Sequence, residues 1–253
     1  MGGTTRLTVA TANTCSGGLL RATDGLAPFA DAGADVIGLQ EVFGLGVDEV
    51  EQALAASGYV LTGHHLAAGL AIAHHPTRLL ALGAARPTTL KSAGPLLRVS
   101  NHWHERGLLR ARFEIGGRTF TFATAHLIVF ARAVARSRQV AALGRALAED
   151  GPAEPLVVTG DMNHYPGPGR RDRTMHDAAG LTAAVLPGPT WRVAGSPHEW
   201  LARAGSRASG RALERFDGEL DAVLHRDLAL VDTTLLEIAS DHRGVVCRFE
   251  LPD

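Results

Sequence analysis

The chain is poor in cysteine, lysine, aromatic residues and long apolar runs. Its 253 residues include two cysteines, a single lysine (Lys91) and 5% aromatic residues. Two cysteines, Cys15 and Cys247, without a CxxC pair exclude a disulfide framework and a thiolate zinc site. No stretch approaches about 18 uninterrupted apolar residues, and residues 1–21 lack the basic start and apolar centre of a secretion signal. We therefore expect no membrane span and a cytoplasmic location.

The composition is that of an ordinary globular protein. Hydrophobic residues make up 45% of the chain and charged residues 20%, and the net charge is −1. At about 150 residues per domain the length fits one large domain or two small ones, but no change in composition marks a linker. We therefore predict a single domain over residues 1–253.

The near-neutral net charge conceals an uneven distribution. Arginine concentrates in residues 98–138 and 165–215, whereas both ends of the chain are acidic. Such a pattern indicates either that the charges pair on folding or that they build a charged site.

Short apolar and β-branched runs of strand length recur along the chain. Gly116 and Gly117 separate two of them and predict a hairpin, because both turn residues can take positive φ. Hairpins combined with crossover helices favour an α/β sandwich over a purely parallel sheet. Residues 165–216, rich in Gly, Pro, Ser and Arg, predict long loops. The predicted strands are 7–12, 36–40, 70–73, 108–115, 119–125, 156–159, 220–225 and 245–251, and the predicted helices are 25–34, 47–57 and 131–148.

Polar side chains recur where these predicted strands begin or end. A single aspartate after a strand is more often a turn former, but the same habit at six strands is harder to explain that way. Carboxylate and amide oxygens are ligands for Mg²⁺ or Mn²⁺, and histidines beside carboxylates serve as acid, base or transition-state stabiliser. The combination indicates metal-assisted hydrolysis of a phosphoester. The residues are Asn13, Glu41, His126, Asp161, Asn163, Asp221, Asp241 and His242.

Six short motifs carry these residues. They are Asn13 after the first strand, Leu39-Gln40-Glu41-Val42, Thr124-Ala125-His126-Leu127, Gly160-Asp161-Met162-Asn163, Leu220-Asp221-Ala222-Val223 and Ser240-Asp241-His242. In this order and spacing they resemble the motifs of the endonuclease/exonuclease/phosphatase superfamily, which includes deoxyribonuclease I. The resemblance implies a four-layer α-β-β-α sandwich, with two mixed β-sheets flanked by helices and an active site where the strand ends of both sheets meet.

The resemblance also implies a role for each polar residue on the metal side of the site. Glu41 is expected to be the principal ligand of Mg²⁺ or Mn²⁺, with Asn13 beside it and Asp241 as a further ligand. Asp161 is expected to orient or deprotonate the attacking water. Asn163 is expected to hold the phosphate or a metal-bound water.

Two histidines are implied on the phosphate side. His242 is expected to contact the scissile phosphate, with Asp221 fixing its tautomer, and His126 to donate to the phosphate or assist the leaving group. The sequence departs from the family pattern beside His126, where residues 123–126 read Ala-Thr-Ala-His in place of an Asn-Thr-His motif. It also offers no clear acidic partner for His126, and Glu105 is the candidate.

A substrate-binding edge is predicted from the segment that follows the Asp161 motif. Arg170, Arg171 and Arg173 could grip a second phosphate or a nucleic-acid backbone, and a solvated loop explains them equally well. Trp191, after Gly188-Pro189-Thr190, resembles a family segment that lines the cleft.

Other catalytic classes find no support in the sequence. No GxSxG elbow and no GxxxxGK[ST] loop occurs, and neither HE pair is completed to HExxH. The adjacent pairs His64-His65 and His74-His75 are not read as metal sites, because neighbouring residues on a strand face opposite sides.

Three functions remain. The first is a metal-dependent phosphoesterase acting on a small or medium phosphorylated substrate, as a monomer. The second is a nuclease acting on DNA or RNA with the same chemistry, which one lysine and a near-neutral charge equip only modestly. The third is a repurposed, non-hydrolytic scaffold, which the full set of site residues argues against.

Overall fold

A computed structural model describes residues 4–90, 105–128, 133–149, 154–163, 169–192, 199 and 217–252. Within these ranges no helix is both long enough and apolar enough to cross a membrane. The strands, in chain order, are β1 Thr5–Asn13, β2 Val36–Gln40, β3 Val60–His65, β4 Leu70–His74, β5 Leu80–Ala81, β6 Arg86–Thr89, β7 Gly107–Ile115, β8 Arg118–His126, β9 Leu156–Asp161, β10 Thr182–Ala183, β11 Trp191–Arg192, β12 Asp217–Gly218, β13 Asp221–Arg226, β14 Ala229–Leu236 and β15 Gly244–Leu251. The helices are α1 Gly18–Arg21, α2 Ala27–Asp31, α3 Val47–Ala55, α4 Ala133–Ala148 and α5 Gly169–Ala179, with a 3₁₀ turn at Leu66–Ala68.

Two mixed sheets form the centre of the molecule. The first has the order β14-β15-β1-β2-β4-β3, and the second has the order β10-β13-β9-β8-β7-β5, with β6 also paired to β7. Each sheet contains one parallel pair, β1 with β2 and β8 with β9, while the other pairs are antiparallel. The prediction of two mixed sheets is confirmed.

The buried side chains divide into three apolar layers, which accounts for the four-layer sandwich. Alternation along β1 shows the division, because Leu7 and Val9 lie between the sheets while Ala10 faces the opposite side. On that outer side Leu19, Phe29 and other residues of α1, α2 and α3 cover the first sheet. The second sheet is covered by α4 and α5 through Val140, Leu143, Met175 and Ala179. The predicted α-β-β-α layering is therefore confirmed.

The predicted hairpin joins β7 to β8. Ile115 pairs with Arg118, and the two turn residues Gly116 and Gly117 have φ of 59° and 80°. Two consecutive left-handed residues are the signature of a type I′ turn, whose twist matches that of the strands. This hairpin supplies β8, the strand that ends at His126.

Two predicted elements differ from the structure. The predicted helix at 25–34 is shortened to α2, and region 165–216, predicted as loops, contains α5. The α5 sequence is dominated by polar residues, and Met175 and Ala179, four positions apart, are buried by packing against α4. Tertiary burial of a narrow stripe outweighs the loop-like composition, because most helical stability in proteins comes from such packing.

The two sheets approach each other closely at Gly38 on β2. A Cβ atom at this position would lie 2.5 Å from Thr159 Oγ1 and 2.7 Å from Thr124 Oγ1, both on the opposite sheet. Two residues further along β2, Gln40 Nε2 donates to Thr124 Oγ1 at 2.7 Å and to Thr11 Oγ1 at 2.9 Å. This buried polar contact ties the strands that end at the polar cluster.

We expect Gly38→Ala to lower the free energy of unfolding by about 1–3 kcal/mol, because the added methyl overpacks the contact between the sheets. The measurement is the urea midpoint at unchanged slope. Gly169→Ala is the matched control, since that helical glycine is exposed and its Cβ would meet nothing within 4 Å. Equal stability of the two variants would contradict the argument.

Candidate active site

The polar residues predicted from the strand ends meet at one edge of the sandwich. Asn13 ends β1 beside Gln40 of β2, and Glu41 follows directly. In the second sheet His126, Asp161 and Asp221 lie at the same register position on three neighbouring strands. The two parallel pairs place their carboxyl ends together, so residues far apart in the sequence become neighbours.

The backbone is strained at this edge. Glu41 and Asn163 have φ of 56° and 45°, a left-handed conformation that L side chains seldom adopt. Gly160 has φ of 138°, and a Cβ atom there would lie 1.9 Å from the carbonyl oxygen of Ala125. Only glycine fits between β8 and β9 one residue before Asp161. Strained residues of this kind cluster at functional sites, where the surrounding structure holds them in place.

Asp161 lies at the centre of the cluster. Its Oδ2 accepts a hydrogen bond from Asn13 Nδ2 at 3.0 Å, and its Oδ1 accepts one from the Asn163 backbone N–H at 3.0 Å. Burial, with the negative charges of Asp221 and Glu41, raises the pKa of Asp161 to about 7, although His242 and Asn13 act in the opposite direction. The carboxyl group therefore exchanges a proton near neutral pH, which suits a general base.

His242 and Asp221 form a buried pair. His242 Nδ1 lies 2.7 Å from Asp221 Oδ2, and its Nε2 lies 3.9 Å from Asp161 Oδ2. Burial disfavours the imidazolium, but the attraction of Asp221, together with Asp161 and Asp241, outweighs it and raises the pKa of His242 to about 10. Nδ1–H therefore donates to Asp221, and the ring carries a second proton on Nε2 at neutral pH.

Thr190 holds the start of β13 in place. Its buried hydroxyl oxygen accepts the backbone N–H groups of Leu220 and Asp221 at 3.1 and 3.0 Å. The next residue, Trp191, forms an isolated β-bridge with His242. The segment thus fixes the two halves of the Asp221–His242 pair.

Glu41, His126 and Asp161 form the one group of three candidate ligands that the described ranges bring within 4.8 Å of one another. His126 Nε2 lies 3.9 Å from Glu41 Oε1 and 3.6 Å from Asp161 Oδ2. The other Glu41 oxygen, Oε2, accepts the backbone N–H of Ser16 at 3.2 Å. Ser16 therefore occupies one oxygen of Glu41 while the other faces the cluster. This acidic group is a candidate site for a divalent cation.

The described partner at Nδ1 of His126 is a cation. Arg106 is 3% exposed, and its Nη1 lies 3.4 Å from His126 Nδ1. Burial lowers the pKa of Arg106, whereas the charges of Glu41 and Asp161 raise it. Glu105, the acidic candidate from the sequence, accepts a hydrogen bond from Thr89 Oγ1 at 3.1 Å.

Asn163, Asp241 and Trp191 surround the cluster. Asn163 is buried, and its Nδ2 donates to the carbonyl oxygen of Leu127 at 3.1 Å, which links the ends of β8 and β9. Trp191 Nε1 donates to Asp241 Oδ2 at 3.2 Å. Asp241 lies outside the group of three candidate ligands.

The predicted arginine edge is only partly described. Arg171 is 1% exposed, and its guanidinium contacts Asp172 Oδ1 at 2.6 Å and Glu219 Oε1 at 3.7 Å. It lies in the interior, and not on the exposed rim that the sequence suggested. Arg173 is exposed on α5. The side chain of Arg170 lies outside the described residues.

Sequence reasoning missed three residues that support the site: Ser16, Arg106 and Thr190. Ser16 contacts Glu41 through its backbone N–H at 3.2 Å and its hydroxyl at 3.5 Å, and the Thr190 hydroxyl accepts two backbone N–H groups. Neither position stands out in the sequence by periodicity or by a motif. Arg106 directly precedes β7, which pairs with β8, and lies two residues before the predicted strand 108–115, so its proximity to His126 could have been found from the hairpin register.

We expect the free energy of unfolding of the metal-free protein to fall by up to several kcal/mol, at about 1.4 kcal/mol per pKa unit, as the pH rises from 7 to 10. His242 is protonated up to about pH 10 in the folded chain but only below about pH 6.5 when unfolded. The native state therefore binds the extra proton in this window, and stability is lost as it leaves. Asp161, whose pKa is raised to about 7, adds a slope of the same sign near pH 7 and little at the alkaline end of this window.

The measurement is chemical denaturation in EDTA at a series of pH values. His242→Asn should flatten the slope, whereas His176→Gln, at an exposed histidine of α5, should leave it unchanged. The same slope in wild type and His242→Asn would contradict the assignment.

Comparison with known proteins places this geometry in a family. Residues 10–242 match the model of the Endonuclease/Exonuclease/phosphatase family. Comparison with proteins of curated function finds no match. Similar solved structures include D. rerio TDP2 complexed with single-strand DNA product, with 18% identity, 96% of this chain and 98% of that chain covered, and a TM-score of 0.66.

Two further structures show the same fold. The human Nocturnin catalytic domain with bound sulfate has 19% identity over 97% of this chain and 93% of that chain, with a TM-score of 0.64. The Bacteroides thetaiotaomicron mannosyl-6-phosphatase Bt3783 has 17% identity over 96% of this chain and 99% of that chain, with a TM-score of 0.65. Because the family match extends from β1 to His242 and includes the whole polar cluster, the chain belongs to the Endonuclease/Exonuclease/phosphatase family of phosphoester hydrolases.

Proposed function

We propose that the chain is an Mg²⁺- or Mn²⁺-dependent phosphoesterase that hydrolyses a phosphodiester or phosphomonoester of a small or medium substrate. The observation that carries the proposal is the position of Asp161 Oδ2, which lies 3.6 Å from His126 Nε2 and 3.9 Å from His242 Nε2. A proton acceptor surrounded by two ring N–H donors is suited to water attack on an anionic phosphate.

The residues fit a hard divalent cation. Glu41 and Asp161 supply carboxylate oxygens, and the Asn13 carbonyl, which accepts the Cys15 N–H at 2.9 Å, retains a second lone pair. Like-charge repulsion from Asp221 and Glu41 contributes to the raised pKa of Asp161, which indicates negative charge that a cation would balance. We propose Asp241 as a further ligand on this side. When bound, the ion neutralises the phosphate and polarises the phosphorus–oxygen bond.

The protein groups divide the proton chemistry between them. Asp161 orients the attacking water and accepts its proton at Oδ2. His242, held cationic by Asp221, donates from Nε2 to a phosphate oxygen. His126 donates from Nε2 to the phosphate or to the leaving oxygen, and Asn163 positions the phosphate.

Charge pairing favours a small substrate over a long polynucleotide. Many arginines of the described ranges already contact acidic side chains, among them Arg112 with Glu154 at 2.7 Å and Arg248 with Asp232 at 2.9 Å. Such cations are less available for the phosphate contacts that dominate nucleic-acid binding. Exposed Arg173, with Arg170 and Trp191, is our candidate substrate contact, and buried Arg171 supports that segment. A single cytoplasmic domain acting as a monomer stays a prediction.

A substrate panel tests the proposal. We expect hydrolysis of bis(p-nitrophenyl) phosphate or p-nitrophenyl phosphate with Mg²⁺ or Mn²⁺, and its loss in EDTA. Asp161→Asn and His242→Asn should each lower kcat at least about 100-fold, because each removes a proton-transfer group. His176→Gln serves as the surface control.

Plasmid, abasic DNA, inositol phosphates and sphingomyelin complete the panel. Plasmid nicking that disappears in EDTA and in both variants would favour the nuclease alternative. Absence of activity on every phosphoester, or activity unchanged in both variants, would contradict the catalytic assignment and leave the scaffold alternative.

A further inference from the structure

The pairing of Arg106 with His126 differs from the usual environment of a metal-binding histidine. A histidine that ligates a metal through one ring nitrogen normally donates its other N–H to a carboxylate, a carbonyl oxygen or water. Here the described partner at Nδ1 is the Arg106 guanidinium, with Nη1 at 3.4 Å. A guanidinium has N–H donors and no acceptor.

The contact favours one position for the ring proton of His126. Nδ1 faces a donor, so it must present its lone pair, and a neutral ring then carries its proton on Nε2. Nε2 in turn faces two acceptors, Asp161 Oδ2 at 3.6 Å and Glu41 Oε1 at 3.9 Å. Both ends of the ring therefore favour the same tautomer.

The burial of Arg106 indicates that its position serves the site. Its side chain is almost fully enclosed, and its Nε is buried without a hydrogen-bond partner among the described residues. A buried orphan donor costs stability and calls for an explanation. The adjacent charges of Glu41 and Asp161 offset the cation but leave Nε unsatisfied.

We propose that Arg106 excludes His126 from the metal coordination shell and so restricts the site to oxygen-coordinated cations such as Mg²⁺ and Mn²⁺, against Zn²⁺. Ligation through Nε2 would require the ring proton on Nδ1, where it would point at the Nη1–H of Arg106. His126 is thereby kept as a hydrogen-bond donor. Arg106 is a positioning residue, and the inference rests on the proposed metal site at Glu41 and Asp161.

The first test needs no variant at position 106. Long-range ¹H–¹⁵N correlation spectra of the metal-free wild type report which nitrogen of each histidine carries a proton, and His126→Asn identifies the His126 signals. We expect a protonated Nε2 and an unprotonated Nδ1. A proton on Nδ1 of His126 would overturn the inference, whatever the activity of the enzyme.

The second test measures binding of the metal alone. Arg106→Glu supplies an acceptor for an Nδ1 proton and frees the Nε2 lone pair. We expect Zn²⁺ affinity by calorimetry to rise at least about 10-fold in this variant, with a stronger d–d absorption on Co²⁺ binding as a nitrogen ligand enters. Arg106→Lys keeps a donor and should behave as wild type. The double variant Arg106→Glu/His126→Asn should lose the gain.

Two outcomes would overturn the role of Arg106. One is a loss of wild-type Zn²⁺ affinity on His126→Asn, which would mean that His126 already ligates the metal. The other is unchanged Zn²⁺ affinity in an Arg106→Glu protein whose circular dichroism matches wild type. If neither Mg²⁺ nor Mn²⁺ binds to the wild type, the proposed metal site is wrong. The tautomer of His126 is measured without metal, so it tests the role of Arg106 separately from that failure.

Discussion

Negative charge buried at one sheet edge is the constraint on which the rest of the site depends. The register of β8, β9 and β13 brings Asp161 beside Asp221 on neighbouring strands, and Glu41 approaches from the other sheet. An isolated buried carboxylate is costly, so each must find donors, a counter-charge or a proton. Asp161 has the Asn13 amide and the Asn163 N–H, Asp221 has His242, and Glu41 has the Ser16 N–H. The supporting residues therefore lie where they do because each stabilises one of these carboxylates.

The two histidines acquire different properties from their partners. His242 faces the carboxylate of Asp221 and is held as an imidazolium, whereas His126 faces the guanidinium of Arg106, a donor that favours the ring proton on Nε2. A single site can obtain two distinct proton donors from two histidines when their surroundings differ. The difference could not be read from the residue types, because it depends on what lies at each Nδ1.

The sequence was sufficient to predict the sandwich and the strand-end cluster, because both follow from local patterns. Alternating apolar residues define the strands, and a polar residue at a strand end stays at that end whatever the packing. What could not be predicted depends on contacts between distant segments. The burial of Arg171 depends on Glu219 across the chain, and α5 forms through packing on α4. Glu41 Oε2 is contacted by the backbone N–H and the hydroxyl of Ser16, which only the folded chain brings beside it.

The uneven charge of the sequence has both of the expected explanations: some of the charges pair on folding, and others build a charged site. Away from the site, arginines of the basic middle pair with acids brought close by the fold, as Arg112 does with Glu154, and Glu237 contacts both Arg192 and Arg243. At the site, the same basic segment contributes Arg106, and the acidic ends contribute Glu41 and Asp221. The arginine that matters most for chemistry therefore lies behind a histidine, where it sets the position of a proton.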